Sequence, residues 1–176
     1  MKQHYDESKK RTALMQIESL SNAFGIEDRL REEIFFLFLS AFQKKITQGL
    51  NFKLVIPALI YYISQKENLL LTLQDISVYC GSRERHILKT YKKLLLELKL
   101  KPVFRNPEIL IEKTAGKLNL SKNTKDRAVS FLGSINNSSP FIKAGIALSR
   151  ALVLTKECKL EKIAETLSVS KASIAK

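Results

Sequence analysis

Chain breakers are scarce in this sequence: six glycines and four prolines in 176 residues leave long stretches in which helices can grow uninterrupted. That scarcity excludes a collagen-like repeat, a Pro/Gly-rich disordered chain and a glycine-rich phosphate loop. Only two cysteines occur, Cys80 and Cys158, with no CxxC pair and no His/Cys partner at ligand spacing. Neither a zinc site nor a disulfide framework is signalled, and buried thiols are expected. Long hydrophobic runs are missing too. The longest, 54–63, is too short to cross a bilayer, and the opening MKQHYDESKKR has no apolar segment of the secretory kind, so a soluble intracellular protein is expected. Histidines number two: His4 lies in a tail, and His86 lies among basic residues beside Glu84 and Arg85, where contact with solvent or a polyanion suits it better than acid–base work. With no Ser/His/Asp set and no paired-carboxylate motif, neither an enzyme nor a cofactor or metal is expected. Asp28, Glu32 and Glu33 read as charges complementing a helix N-terminus.

What is abundant is positive charge. The net charge is +13, and it is not confined to a tail: residues 1–101 hold 17 Lys/Arg against 11 Asp/Glu, and residues 102–176 hold 13 against 6. Such an excess costs self-repulsion and is most simply understood if a polyanion or acidic partner lies along the surface. Hydrophobic residues make up 45% of the chain, enough for a packed core.

Apolar spacing of three and four residues recurs throughout. Leu14, Ile17, Leu20 and Phe24 mark a helix over about 9–23 closed by Gly25; Leu30, Ile34, Phe38, Ala41 and Phe42 mark a second, capped by Asp28, broadened by Phe35, Phe36 and Leu39, and ended by Gly49. The segment 51–66, FKLVIPALIYYISQK from Phe52 onward, is apolar on nearly every side, as a helix surrounded by others would be. Pro57 within it requires a late start or a kink, because an interior proline costs ~3 kcal/mol.

The stretch 71–100 then gives a helix-turn-helix pattern. Thr72 caps a short helix bearing Leu73, Ile76 and Cys80, Gly81 supplies the positive-φ break, and Ser82 caps a longer helix with the stripe Ile87, Tyr91, Leu94, Leu95 and Leu98. Its other face is basic: between 82 and 101 stand seven Lys/Arg against two Glu. Pro102 and Pro107 mark a connector, Asn106 and Pro107 start another helix with stripe Ile111, Ala115 and Leu118, Ser121 caps the next, and 136–139 breaks it. Pro140 opens an apolar helix whose interior Gly145 suggests close approach of another backbone. Residues 159–176 repeat the short-helix, break, basic-helix signature.

That repetition is numerical. Leu73/Leu160, Ile76/Ile163, Cys80/Leu167 and Ile87/Ile174 are all 87 residues apart, and Ala58/Gly145 and Leu59/Ile146 keep the same offset. Further back the offset becomes 94, placing Phe24-Gly25-Ile26 on Leu118-Asn119-Leu120. Two five-helix repeats, 1–101 and 102–176, account for the whole chain.

A duplicated five-helix unit ending in helix-turn-helix, with the phrase SRERHILKTYKKLLLELKL running into the linker KPVFRNPEILIEKTAGKLNL, and with SSPFIKAGIALSRAL and LEKIAETLSVSKASI in the second copy, resembles the core of transcription factor IIB and archaeal transcription factor B. The resemblance implies an all-α cyclin-like fold in which the third helix of each repeat is surrounded by the other four. It implies as partners double-stranded promoter DNA and the TATA-binding protein that bends it, with the second helix-turn-helix reading an element upstream of the TATA box. Carried over residue by residue, it makes Ser82, Arg83, Arg85, His86 and Lys89 in the first repeat, and Ser170, Lys171 and Ser173 in the second, candidates for DNA contact. Lys92 and Lys93 would add phosphate contacts without base information.

RNA polymerase is a further partner of that family, engaged through an N-terminal zinc ribbon and a reader segment. This sequence starts in the first repeat without a metal motif, so recruitment by the usual route is not expected. Lys176 falls on Lys89, so the second recognition helix stops before any counterpart of Tyr91, Leu94, Leu95 and Leu98, and base reading by it should be weakened. The function these features imply is that of a transcription-factor-IIB-like variant initiation factor or regulator, cytoplasmic in an archaeal or archaeal-virus setting and nuclear in a eukaryotic one. The rival reading is a cyclin-like protein-interaction module whose inter-helix grooves bind a partner protein and whose charge is incidental; it would need an exposed apolar groove.

Overall fold

The computed structural model describes residues 2–136, 139–155 and 157–175, with side chains from residue 6 onward. Asn137 and Ser138 of the expected break, the His4 side chain and Lys176 lie outside the described residues. Among those described there are ten α-helices and no strand: α1 Lys2–Phe24, α2 Asp28–Gln43, α3 Val55–Lys66, α4 Leu73–Tyr79, α5 Glu84–Leu98, α6 Pro107–Lys117, α7 Lys122–Phe131, α8 Pro140–Thr155, α9 Leu160–Thr166 and α10 Lys171–Ile174. They form two tandem five-helix repeats of the cyclin-like kind.

The repeat offsets reappear in the backbone. Gly25 and Asn119, 94 apart, both take positive φ (62° and 52°), as do Gly81 and Ser168, 87 apart (59° and 50°). Each pair closes its helix with the same reach-back bond: Ile26 N–H to Ser21 and Leu120 N–H to Ala115, both 2.9 Å, then Ser82 N–H to Ser77 and Val169 N–H to Ala164, both 3.0 Å. A left-handed residue followed by this bond satisfies carbonyls that a helix end otherwise leaves unpaired, so the two copies terminate their helices by one device. Ile76, Ile163, Ile87 and Ile174 are all fully buried.

In the first unit, Met1–Ser64 with Thr72–Val103, α3 is the most enclosed helix: residues 55–60 and 62–64 are buried. Pro57 sits in its first turn, preceded by a 3-10 turn, Phe52–Leu54, that Asn51 caps through its side chain. The late start expected from Pro57 is what occurs, since a first-turn N–H has no helical acceptor to lose. Five details differ from the spacing argument. Helix α1, expected from about residue 9, begins at Lys2 and so takes in the segment read as a tail. Ala13, Ile17 and Leu20 face the core of α1, while Leu14 is 40% exposed. The α2 helix begins at Asp28 with Glu27 at the cap, and it ends at Gln43, where Lys45 turns left-handed ahead of a 3-10 turn, Ile46–Gly49. Ser82 does not cap α5; Arg83 holds that place, and the Ser82 hydroxyl donates to the Cys80 carbonyl at 3.3 Å. At the far end α5 closes on left-handed Lys99.

The second unit joins Phe104–Lys176 to Gln65–Leu71, a segment that in the chain lies between α3 and α4. Three polar contacts hold it there: Asn106 N–H donates to Asn68 Oδ1 (2.8 Å), Lys113 Nζ donates to the Glu67 carbonyl (2.7 Å), and the Arg105 guanidinium donates to the Leu71 carbonyl. The central helix of this unit is α8, which packs against α6, α7, α9 and α10. The close approach expected at Gly145 is real but its partner is a side chain: a Cβ there would meet Ile174 Cγ2 at 2.5 Å and Leu167 Cδ1 at 3.4 Å.

Helix α7 is capped as expected by Ser121, whose hydroxyl accepts from Thr124 N–H at 3.2 Å. Glu157 completes that terminus, accepting from the Ser121 hydroxyl (2.5 Å), the Ser121 amide (2.8 Å) and the Thr124 hydroxyl (2.9 Å). The hydroxyl of Ser121 first, then its amide, and also Thr124 hold the Glu157 carboxyl below its ordinary value of 4.5. A depressed carboxyl contributes stability that is present above about pH 4.5 and is lost as pH falls through the folded value. Thermal melts of wild type and Glu157→Gln should therefore differ at neutral pH and converge in acid, once the pH has fallen through the lowered folded value and the wild-type carboxyl is protonated.

Candidate nucleic-acid interface

The recognition-type helix of the first repeat is set by three features of its sequence. Thr72 and Asp75 form a reciprocal capping box at the start of α4, with Asp75 N–H to Thr72 Oγ1 at 3.1 Å and Thr72 N–H to Asp75 Oδ2 at 2.8 Å. Gly81 turns the chain, and α5 follows with Ile87, Thr90 and Leu94 buried along one face. Tyr91 adds an edge contact to Tyr61 of α3, ring centres 5.1 Å apart.

With that face fixed inward, helical geometry turns Arg85, Lys89 and Lys92 to the opposite side, at i, i+4 and i+7, and all three are exposed. Arg83 at the cap is exposed as well, and none of these four side chains has an ion-pair or hydrogen-bond partner among the described residues. Leu96, 76% exposed, continues the same outer face. His86 and Lys93 lie on one flank, where they border a cleft of about 480 Å3 together with Lys89, Thr90, Asn51 and Leu54. Lys93 is engaged there: its ammonium donates to the Gly49 carbonyl at 3.3 Å. The spacing assigns 51–66 to one helix after a break at Gly49, whereas 49–54 forms the turn beside this cleft and the α-helix starts at Val55. No local pattern signals that this turn stands beside α5, because the contact joins residues 44 apart.

The second helix-turn-helix is built differently. Ser170 and Ser173, expected as DNA contacts, are spent on the short α10: the Ser170 hydroxyl accepts from Ser173 N–H at 3.2 Å, and the two hydroxyls bond to each other. Lys171 is ion-paired with Glu161, and that hydrogen bond is the main cause holding the Glu161 carboxyl below its ordinary range. Residues 159–175 carry three lysines against two glutamates, far from the basic surplus of α5. Among the described residues no group of His, Cys, Asp and Glu could hold a metal, and no helix is long and apolar enough to cross a membrane.

The fold and this surface define a tandem cyclin-like, all-α protein whose first helix-turn-helix presents an unpaired basic face. No family model matches the chain, but curated relatives do along 92% of it. It is 25% identical over 169 residues to transcription initiation factor IIB 6 of Halobacterium salinarum, covering 92% of this chain and 53% of the relative. It is 24% identical to transcription initiation factor IIB of Archaeoglobus fulgidus (92% and 52%) and 22% identical to that of Saccharolobus shibatae (92% and 55%). The chain thus spans about half the length of the curated relatives it matches, and its likeness to the core of transcription factor IIB extends over nearly all of its own length.

Proposed function

We infer that this chain acts in transcription initiation as a factor-IIB-like protein, binding double-stranded promoter DNA together with a TATA-binding protein, either as a variant initiation factor or as a regulator that occupies the promoter. The observation that carries this reading is the outer face of α5, where Arg85, Lys89 and Lys92 stand exposed and unpaired on a helix-turn-helix held by a buried opposite face. Similarity to initiation factors IIB over 92% of the chain supports it. Arg83 and Arg85 have the reach for a guanine edge or a phosphate, whereas Lys89 and Lys92 serve as phosphate contacts and Lys93, donating to the Gly49 carbonyl, is set aside from them. Because Lys171 is neutralised by Glu161 and Ser170 and Ser173 are occupied in a cap, the first repeat carries more of the binding than the second. The protein works inside the cell, where its nucleic-acid partner is.

A gel-shift titration on a TATA-containing duplex, with and without TATA-binding protein, tests this directly. If about six phosphates are neutralised, affinity falls on the order of 10³-fold between ~50 and ~200 mM salt. Converting Arg85, Lys89 and Lys92 together to Ala should lower the slope of log affinity against log salt by about 2.7 without altering the melting curve, because each phosphate contact contributes about 0.9. A salt-independent complex, or no ternary band, would overturn the reading.

A further inference from the structure

On a protein with net charge +13, one surface of the first unit is acidic. The groove between α1 and α2, of about 310 Å3, has Leu14, Ile17 and Phe35 in its lining and carries Glu18, Asp28 and Glu32. Between residues 16 and 36 there are five Asp/Glu against two Arg; Arg31 also lines the groove, its Nε donating to the Ile26 carbonyl at 2.9 Å and its Nη1 lying 3.4 Å from Asp28, so that it offsets Asp28 and leaves Glu18 and Glu32 as the uncompensated charges. The dipole of α2 accounts for Asp28 at its first turn, and an exposed carboxylate there is ordinary. It does not account for Glu18, which belongs to α1, nor for the apolar exposure beside the carboxylates. Leu14 is 40% exposed, and Phe36, one helical turn beyond Glu32, is 69% exposed. A single exposed ring is ordinary, but here Leu14 and Phe36 extend the apolar lining of the groove into a contiguous patch beside the carboxylates.

We propose that this groove docks a basic amphipathic helix of a protein partner. Its apolar side chains would seat between Leu14 and Phe35 and against Phe36, and its lysines or arginines would meet Glu18, Asp28 and Glu32. Charge complementarity selects this occupant. A nucleic-acid backbone is repelled by the three carboxylates, and an acidic helix would be drawn to the basic faces elsewhere on the molecule. A cationic helix is repelled by the protein at long range, so its binding has to come from this local field and the apolar floor. The site is independent of α5, and its success or failure leaves the DNA reading standing.

The test is fluorescence anisotropy at ~150 mM salt, where distant charges are screened, with the full chain and a short labelled leucine/lysine amphipathic helix; a scrambled peptide of equal composition is the control. The amphipathic peptide is expected to bind and the scrambled one not, with amide shifts confined to residues around Leu14, Glu18, Glu32 and Phe36. Asp28→Asn with Glu32→Gln should weaken binding about tenfold, and Phe36→Ser should weaken it comparably. Both act at exposed positions, so melting should shift by no more than the small loss of the Asp28 helix-end charge and its pairing with Arg31, and a gel shift on DNA should be retained. Equal binding of the scrambled peptide, unchanged affinity of both variants, or shifts elsewhere on the surface would overturn the proposal. So would self-association of the free protein that the Asp28/Glu32 variant abolishes, since the occupant would then be a second copy.

Discussion

Arg105→Ala should cost the second unit about 3 kcal/mol, more than any surface change in the molecule. Arg105 is the one buried charged residue among those described, 6% exposed, and it sits in a linker whose prolines suggested nothing more than a connector. Its guanidinium lies 4.5 Å from the Phe141 ring centre and donates to the Leu71 carbonyl, so it ties the start of α8 to segment 65–71. Truncation leaves that carbonyl without its donor, at about 1–3 kcal/mol, and removes a desolvated cation–ring contact of up to about 2 kcal/mol. Arg105→Lys keeps the charge but not the planar fork, and should lose about half as much. Urea denaturation gives the magnitude, and hydrogen exchange of 65–71 gives the place: protection should fall there first. Unchanged exchange in that segment would show that Arg105 is not what holds it.

Gly145→Val should be nearly as damaging, at about 3 kcal/mol, although glycine in a helix interior is ordinarily the weaker choice by about 1 kcal/mol. The added Cβ would lie 2.5 Å from Ile174 Cγ2, and Ile174 is fully buried with Leu167, also fully buried, behind the same site. Helix α10 is only four residues long, so the strain is relieved by displacing it rather than by bending α8. Limited proteolysis should cut within 168–175 sooner in the variant than in wild type. Gly145→Ala tests the balance more finely: a net gain in melting temperature would mean that α10 yields at no cost. At the equivalent position in the first repeat stands Ala58, which tolerates its Cβ and is itself fully buried.

How much of this was legible before folding depends on the range of the interaction concerned. Helix starts and stops are decided within about five residues, by caps, prolines and left-handed turns, so Thr72, Asn106, Ser121 and Gly81 could be read in place. The internal repeat was legible for the same reason: offsets of 87 and 94 place like punctuation on like punctuation, and Gly25/Asn119 and Gly81/Ser168 take the same backbone conformation. The basic face of α5 followed from its period once Ile87 and Leu94 were placed inward. Where a cap was misread, as with Ser82 and Asp28, the error was one residue, because neighbouring polar groups compete for the same turn.

The sequence by itself determined an all-α duplicated fold, the position of its two helix-turn-helix elements and the resemblance to transcription factor IIB, since each rests on local patterns or on matches along the chain. Only the tertiary structure decided that 65–71 belongs with the second unit, that Arg105 is buried, that Lys93 is held by Gly49, that Lys171 is neutralised by Glu161, and that Glu18 and Glu32 face one groove. Each of these joins groups from 10 to 46 residues apart, in different elements of the chain, and no spacing rule reaches so far. The cost of burying a linker arginine is offset in part by a carbonyl and a ring that converge on it from distant stretches of chain.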